Sequence, residues 1–177
     1  MIETRRLILR EMQDDDYDAL YRVLADSDIM RHYPYTFDEK RVRNWIFRNR
    51  ERYQILGFGL WAVCLKETGE MIGDCGLSMQ VIHGVIRPEI GYHIRGDRQR
   101  RGYAKEAAVA VRDWAFRYTP FNIIYSYMSA ANIASARTAM AWGGRFMEEY
   151  TDEAGERTRV YAMTREEWEK AAEERED

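Results

Sequence analysis

Cysteine, proline and histidine are scarce in this chain: two, three and three residues among 177. Cys64 and Cys75 lack CxxC spacing and lie in apolar runs, which excludes a disulfide framework and describes reduced, buried thiols. Three scattered histidines and two such cysteines offer no ligand set, so no metal is expected. No Pro- or Gly-rich linker, repeat or low-complexity stretch breaks the chain, and one domain over 1–177 is expected. No apolar run nears the ~20 residues that cross a bilayer. The opening MIETRRLILRE has no secretory hydrophobic segment, so a cytoplasmic protein without a membrane partner is expected. An excess of charge of one sign is also missing. The formal net charge is −3, which argues against nucleic acid as the main partner. The acidic excess sits at 165–177, seven acidic residues against three basic, and that tail reads as a solvated last helix.

Two nucleotide signatures are absent as well. No stretch matches G-x-x-x-x-G-K-[ST]. Gly57-Phe58-Gly59 begins as G-x-G but lacks the third glycine and opens a strand.

What is present is apolar substance, 46% hydrophobic and 13% aromatic, enough for a real core. Short strands are expected at 7–9, 58–66, 71–81, 89–94, 122–129, 145–151 and 157–164, with the pair at 58–81 joined by the turn Glu67-Thr68-Gly69-Glu70. Asp14 to Asp16 precede a helix with Tyr17, Leu20, Tyr21 and Leu24 at helical spacing. Asp38 caps a second helix with Val42, Trp45, Ile46 and Tyr53 on one face. A third helix runs from about Gly102 to Tyr118 before Pro120, and a fourth from Asn132 to Trp142 before Gly143-Gly144. Strands alternating with helices but ending in a hairpin imply an α+β fold, a mixed, twisted, mostly antiparallel sheet of six to seven strands flanked by helices.

The segment 87–106, RPEIGYHIRGDRQRRGYAKE, carries the strongest functional signal. A strand leads through a basic turn into a helix, whose first N–H groups lack helical acceptors and whose aligned peptide dipoles favour an anion. Arg98, Arg100, Arg101 and Lys105 surround that point, and Gly102 lets main chain approach oxygen atoms, which suits a pyrophosphate. The competing reading is an exposed arginine face without a ligand.

These residues spell E-I-G-Y at 89–92 and Q-x-x-G-x-A at 99–104; Asn132-Ile133-Ala134-Ser135 spells N-x-x-S. In those motifs the sequence resembles the GNAT superfamily of acyl-CoA-dependent N-acyltransferases. Thr4 to Arg10, T-R-R-L-I-L-R, is similar to the opening of the branch that contains ribosomal-protein N-terminal acetyltransferases. The resemblance extends from Glu3 to about Thr164 and implies the GNAT fold, acetyl-CoA as cofactor and an amine acceptor. It implies that main chain around His93, Ile94 and Arg95 pairs with the pantetheine amides as an added strand would. It places the pyrophosphate on Gln99, Arg100, Arg101, Gly102, Tyr103, Ala104 and Lys105. Asn132 would bond the pantetheine arm and Ser135 would lie near the thioester sulfur. The sequence departs from the family pattern at two places. Ala139 stands where several branches have a tyrosine acid, and Gly143-Gly144 replaces the usual G-F, with Phe146 nearby to fill the volume.

Acyl transfer to an amine needs a neutral nitrogen, a polarised carbonyl and an outlet for the thiolate. Glu89 can serve as base, directly or through a water, or merely pair with a basic neighbour; Glu148, Glu149, Glu153 and His83 are weaker candidates. Ser135 can support the thiolate or simply bond helix backbone. Tyr33, Tyr35 and Trp61 can wall the acceptor pocket or belong to the core. The expected activity is acetyl transfer from acetyl-CoA to a primary amine, by direct attack in a ternary complex. Two readings compete with it: a non-catalytic coenzyme A-binding module, permitted by Ala139, and an RNA-associated protein working through basic residues of the second helix such as Lys40, Arg41 and Arg43. A homodimer is compatible with all three.

Overall fold

The computed structural model describes residues 1–174. One sheet of eight strands runs through it: β1 (Ile2–Glu3), β2 (Leu7–Arg10), β3 (Leu60–Leu65), β4 (Met71–Ile82), β5 (Val85–Ile94), β6 (Ile123–Ser129), β7 (Arg145–Thr151) and β8 (Arg157–Thr164). Their order in space is β1-β2-β3-β4-β5-β6-β8-β7. The helices are α1 (Tyr17–Leu24), α2 (Glu39–Leu56), α3 (Tyr103–Tyr118), α4 (Ile133–Ala141) and α5 (Arg165–Glu173). The mixed, mostly antiparallel sheet inferred from the sequence is therefore found. The two-residue β1 is the strand that its apolar pattern was too short to reveal.

Both faces of the sheet are covered. Ala107, Ala108, Val111 and Ala115 of α3 pack on one face, against Leu9, Val63 and Ile90. Leu20 and Val23 of α1 with Val42 and Ile46 of α2 pack on the other, against Leu60 and Ala62. Covered on both sides, β3 is buried at every position, and its sequence LWAVCL is accordingly an unbroken apolar run rather than an alternation. Cys64 and Cys75 are free thiols in these layers.

Every pair of adjacent strands is antiparallel except β5 and β6, which run parallel and meet at one residue pair, Glu89 with Tyr125. Ser126 Oγ donates to Ile90 O at 2.7 Å just beyond that pair. Past this point the two strands separate, and Gly91–Ile94 have no partner on the β6 side among the described residues. The sheet thus opens into a wedge beside Ile94.

Two further features differ from expectation. β5 begins at Val85 and forms a long hairpin with β4 through His83 and Gly84, both at positive φ (49° and 76°), the conformation that a two-residue hairpin turn requires. The last helix is docked as well as solvated: Trp168 Nε1 donates to Asp113 Oδ1 at 2.7 Å, and Arg165 donates to Thr119 O and Phe121 O. Residues 175–177 of the expected tail lie outside the described residues.

Candidate active site

The turn between β5 and α3 is a cradle of N–H groups. Arg100 (φ 60°) and Gly102 (φ 80°) both take the left-handed conformation on either side of Arg101, which bends successive N–H groups toward one concavity. Among the described residues, no acceptor is found for the main-chain N–H groups from Arg100 to Lys105. Among the described residues the side chains of Arg100, Arg101 and Lys105 make no ion pair, whereas Arg95 and Arg98 are each held by Glu70 at 2.6 Å. Bracing comes from the N-terminal segment. Arg6 binds Glu106 at 2.7 Å, donates to Arg101 O at 3.0 Å and lies over the Tyr103 ring, while Thr4 Oγ1 donates to Glu106 Oε1 at 2.6 Å. A groove of about 460 Å³ opens at this corner, lined by Arg6, Gly102, Lys105 and Val109 among others.

From the cradle the open edge of β5 leads into the wedge. Arg95 donates its N–H to Ile72 O at 2.8 Å, on the β4 side. Strand alternation then turns the main chain of His93 toward β4 and that of Tyr92 and Ile94 toward the opening. Gln99 Nε2 donates to Ile94 O at 2.9 Å, which fixes the turn to the strand end. The edge expected at His93, Ile94 and Arg95 therefore belongs to Tyr92 and Ile94, because the pairing of Arg95 sets the parity. Across the wedge, Asn132 caps α4 by accepting from Ser135 N at 3.1 Å. Tyr92 Oη donates to Ser135 O at 2.8 Å and so links β5 with α4.

On the α1/α2 face of the same strands lies an acid–base cluster. Glu89 is 8% exposed and accepts from Ser78 Oγ at 3.2 Å. Burial raises its carboxyl to about 7, against the lowering effects of Ser78 and His93. His93 follows on the same face, with Gly91 between them. A Cβ at Gly91 would stand 3.2 Å from Glu89 Oε2, so the missing side chain is what gives the carboxylate its room. His93 bonds Asp74 through Nδ1 and Tyr33 through Nε2, both at 2.7 Å, and Trp45 Nε1 donates to the other Asp74 oxygen at 2.8 Å. Burial works against the imidazolium, but the charge and hydrogen bond of Asp74, with Glu89, raise the His93 pKa above 6.5. The hydroxyl of Tyr127 on β6 is pushed up to about 12 by burial and by Glu89, Tyr150 and Tyr35.

The profile described as Acetyltransferase (GNAT) domain matches residues 6–145. The chain belongs to this family. It is 35% identical over 137 residues to YkkB of Bacillus subtilis (strain 168), a match covering 77% of this chain and 80% of that protein. A GNAT-family acetyltransferase from Bacillus anthracis superposes with a TM-score of 0.81 at 23% identity, over 93% of this chain and 98% of that one. RimL, a ribosomal L7/L12 alpha-N-protein acetyltransferase in complex with coenzyme A, superposes with a TM-score of 0.75 at 18% identity, over 91% and 95%. At these identities the two structures speak to the GNAT fold.

Within this GNAT chain the structure brings Glu89, His93, Tyr33 and Tyr35 to one side of the wedge and the turn at 99–105, Asn132 and Ser135 to the other. Trp61 is not with them. It is 5% exposed and packs edge-on against Trp114 of α3, on the opposite face of the sheet from Tyr33, so it is a core residue. Tyr35 is 43% exposed beneath Arg41, at the rim. Glu148 and Glu149 are bound to His83 and Arg87, and to Arg157 and Arg159, which hold both carboxyls below the ordinary range and unsuited to accept a proton near neutrality. Four participants were not singled out from the sequence: Asp74, Trp45 as an indole donor, the hydroxyl of Tyr92, and the His93 side chain, which the family resemblance had cast as main chain only. Asp74 is a charge in the otherwise uncharged strand Met71–Ile82, a signal that was open to reading.

Proposed function

We propose that the protein is an acetyl-CoA-dependent N-acetyltransferase acting on a primary amine. The observation that carries this reading is one continuous path. Among the described residues, N–H groups without acceptors and three cations without ion pairs at the start of α3 stand at one end of an open strand edge, and a buried carboxyl poised near neutrality stands at the other.

The diphosphate would lie on the N–H groups from Arg100 to Lys105, where the helix dipole adds to the charges of Arg100, Arg101 and Lys105. The pantetheine arm would follow Tyr92 and Ile94 as an added strand, with the Asn132 amide as a further donor. The N–H of Ile94 faces the same opening and would polarise the thioester carbonyl. The acceptor would enter from the α1/α2 face, among Tyr33, Tyr35 and Tyr127. Glu89 would receive a proton from the attacking nitrogen, since a carboxyl near 7 is half ionised at working pH. With Ala139 in place of a tyrosine, Ser135 would support the departing thiolate; a thiol of ordinary pKa near ~8.5 needs only modest help. The coenzyme A bound to RimL supports the same donor here.

Thiol release from acetyl-CoA, followed with peptide N-termini, polyamines and aminoglycosides, tests the reading. Release with at least one amine is expected. Tight desulfo-coenzyme A binding without release by any amine would favour the non-catalytic module.

A further inference from the structure

The nitrogen of an acceptor ammonium loses two protons on its way to an amide, one before it attacks and one after. Glu89 accounts for one of them. The hydrogen-bond chain behind it is suited to the other. We propose that Tyr33, His93 and Asp74 form a proton relay whose outer end, the Tyr33 hydroxyl, touches the acceptor amine and frees its lone pair. The proposal rests on the acetyltransferase reading and assigns a second proton acceptor to that same site.

The chain has a fixed direction. Asp74 is fully buried and, when ionised, only accepts; Trp45 fills one of its oxygens at 2.8 Å, so the other takes the Nδ1–H of His93 at 2.7 Å. The proton of neutral His93 is thereby held on Nδ1, and Nε2 presents its lone pair to the Tyr33 hydroxyl at 2.7 Å. His93 itself is nearly closed off, with its side chain 10% exposed, whereas Tyr33 as a whole is 37% exposed on the loop between α1 and α2, although burial, with Glu89 and Asp74, pushes its hydroxyl well above the usual value. A purely structural His–Asp pair would need no third member supplied by a surface loop. The groups facing His93 are Asp74 from β4, Tyr33 from the loop, Glu89 from its own strand and the Trp45 ring from α2; Tyr127 of β6 and Tyr35 complete the surroundings through their coupling to Glu89 and Tyr33.

The step balances. The ammonium passes a proton to the Tyr33 oxygen as the Tyr33 hydroxyl proton moves to His93 Nε2, leaving a neutral amine, an intact phenol and an imidazolium paired with Asp74. The nitrogen lone pair then forms the C–N bond, the C–S bond breaks, and Glu89 takes the second nitrogen proton. One proton ends on the thiolate as coenzyme A thiol, and the imidazolium returns the other to water through Tyr33. Tyr33 is the catalytic residue in this scheme; His93 and Asp74 act through it, and Trp45 is a positioning residue.

The test uses Tyr33→Phe with a lysine-like amine, measured from pH 7 to pH 10. Turnover at pH 7 should fall on the order of 10²-fold with acetyl-CoA affinity and melting temperature unchanged. The penalty should shrink toward pH ~10, where such an amine, of pKa near ~10.4, is increasingly neutral unaided. A change within twofold at pH 7, or a penalty that stays constant with pH, overturns the relay while leaving the acetyltransferase reading intact. Nitrogen-15 NMR of His93 gives a readout independent of turnover. At a pH above the folded pKa of His93 the Nδ1–H tautomer is expected in the wild type, and the Nε2–H tautomer overturns the relay. Failure of every amine with wild-type protein sinks the acetyltransferase reading instead, and the relay, which rests on it, falls too.

Discussion

Position 102 bears on both the backbone and the proposed coenzyme site. Its φ of 80° lies in the left-handed region, and a Cβ there would stand 3.4 Å from Arg6 Nη2. Gly102→Asp adds a carboxylate at the cradle, and coenzyme affinity by calorimetry should fall more than ~10-fold, about 1.4 kcal/mol. Gly102→Ala is the control that carries the strain without the charge, and it should weaken binding less. Glu89 makes a different prediction, because its folded pKa of about 7 exceeds its ordinary 4.5. Between those values the folded state holds a proton that the unfolded state has lost, so stability falls as pH rises through the window. Glu89→Gln keeps the Ser78 hydrogen bond without the buried charge. Relative to wild type it should gain up to about 3 kcal/mol between pH 5 and pH 8 in urea titrations. Turnover should drop about 10²-fold in the same variant.

Among the elements, α2 shows how a surface cap reaches the site. Asp38 accepts from Arg41 N at 2.8 Å and starts a helix that carries Trp45 onto Asp74. Asp38→Ala should cost about 1 kcal/mol, seen as a lower urea midpoint at unchanged slope. The helix was legible beforehand, because a capping residue and apolar spacing of 3.6 are local patterns. So were both strands of the last hairpin, whose bounds at 145–151 and 157–164 coincide with those read from the chain. β5 was legible only in part. Its first four residues, Val85 to Pro88, include Arg87 and Pro88, which break the apolar pattern, and only the positive φ at His83 and Gly84 exposes the hairpin with β4. Which of its main-chain groups face the wedge depends on its pairing with β4, which no window of sequence contains.

Over the whole molecule, two sets of charges pull stability in opposite directions with pH. Hydrogen bonds from Arg95 to Glu70, from His83 to Glu148 and from Arg159 to Glu149 hold these carboxyls below their ordinary value. Their contribution is present above about 4.5 and is lost as pH falls through the folded pKa values. His93, raised by Asp74, contributes fully below 6.5 and loses its contribution as pH rises through its folded pKa; Glu89 adds a slope of the same sign. Thermal denaturation against pH should therefore show a maximum near pH ~5, and a plateau extending to pH 8 would contradict the burial of Glu89 and His93. The sequence by itself determined the kinds and order of all the elements but the two-residue β1, the glycine turn between β5 and α3 and the family, because caps, apolar period and contiguous motifs are properties of neighbouring residues. The tertiary structure alone decided that Trp61 is core and that Tyr92 spans the wedge. It also decided that Tyr33, His93 and Asp74, separated by 60 and 19 positions, share one hydrogen-bonded chain. The face a strand residue occupies and the loop laid against it are fixed by sheet register and helix packing, which arise only when distant segments meet.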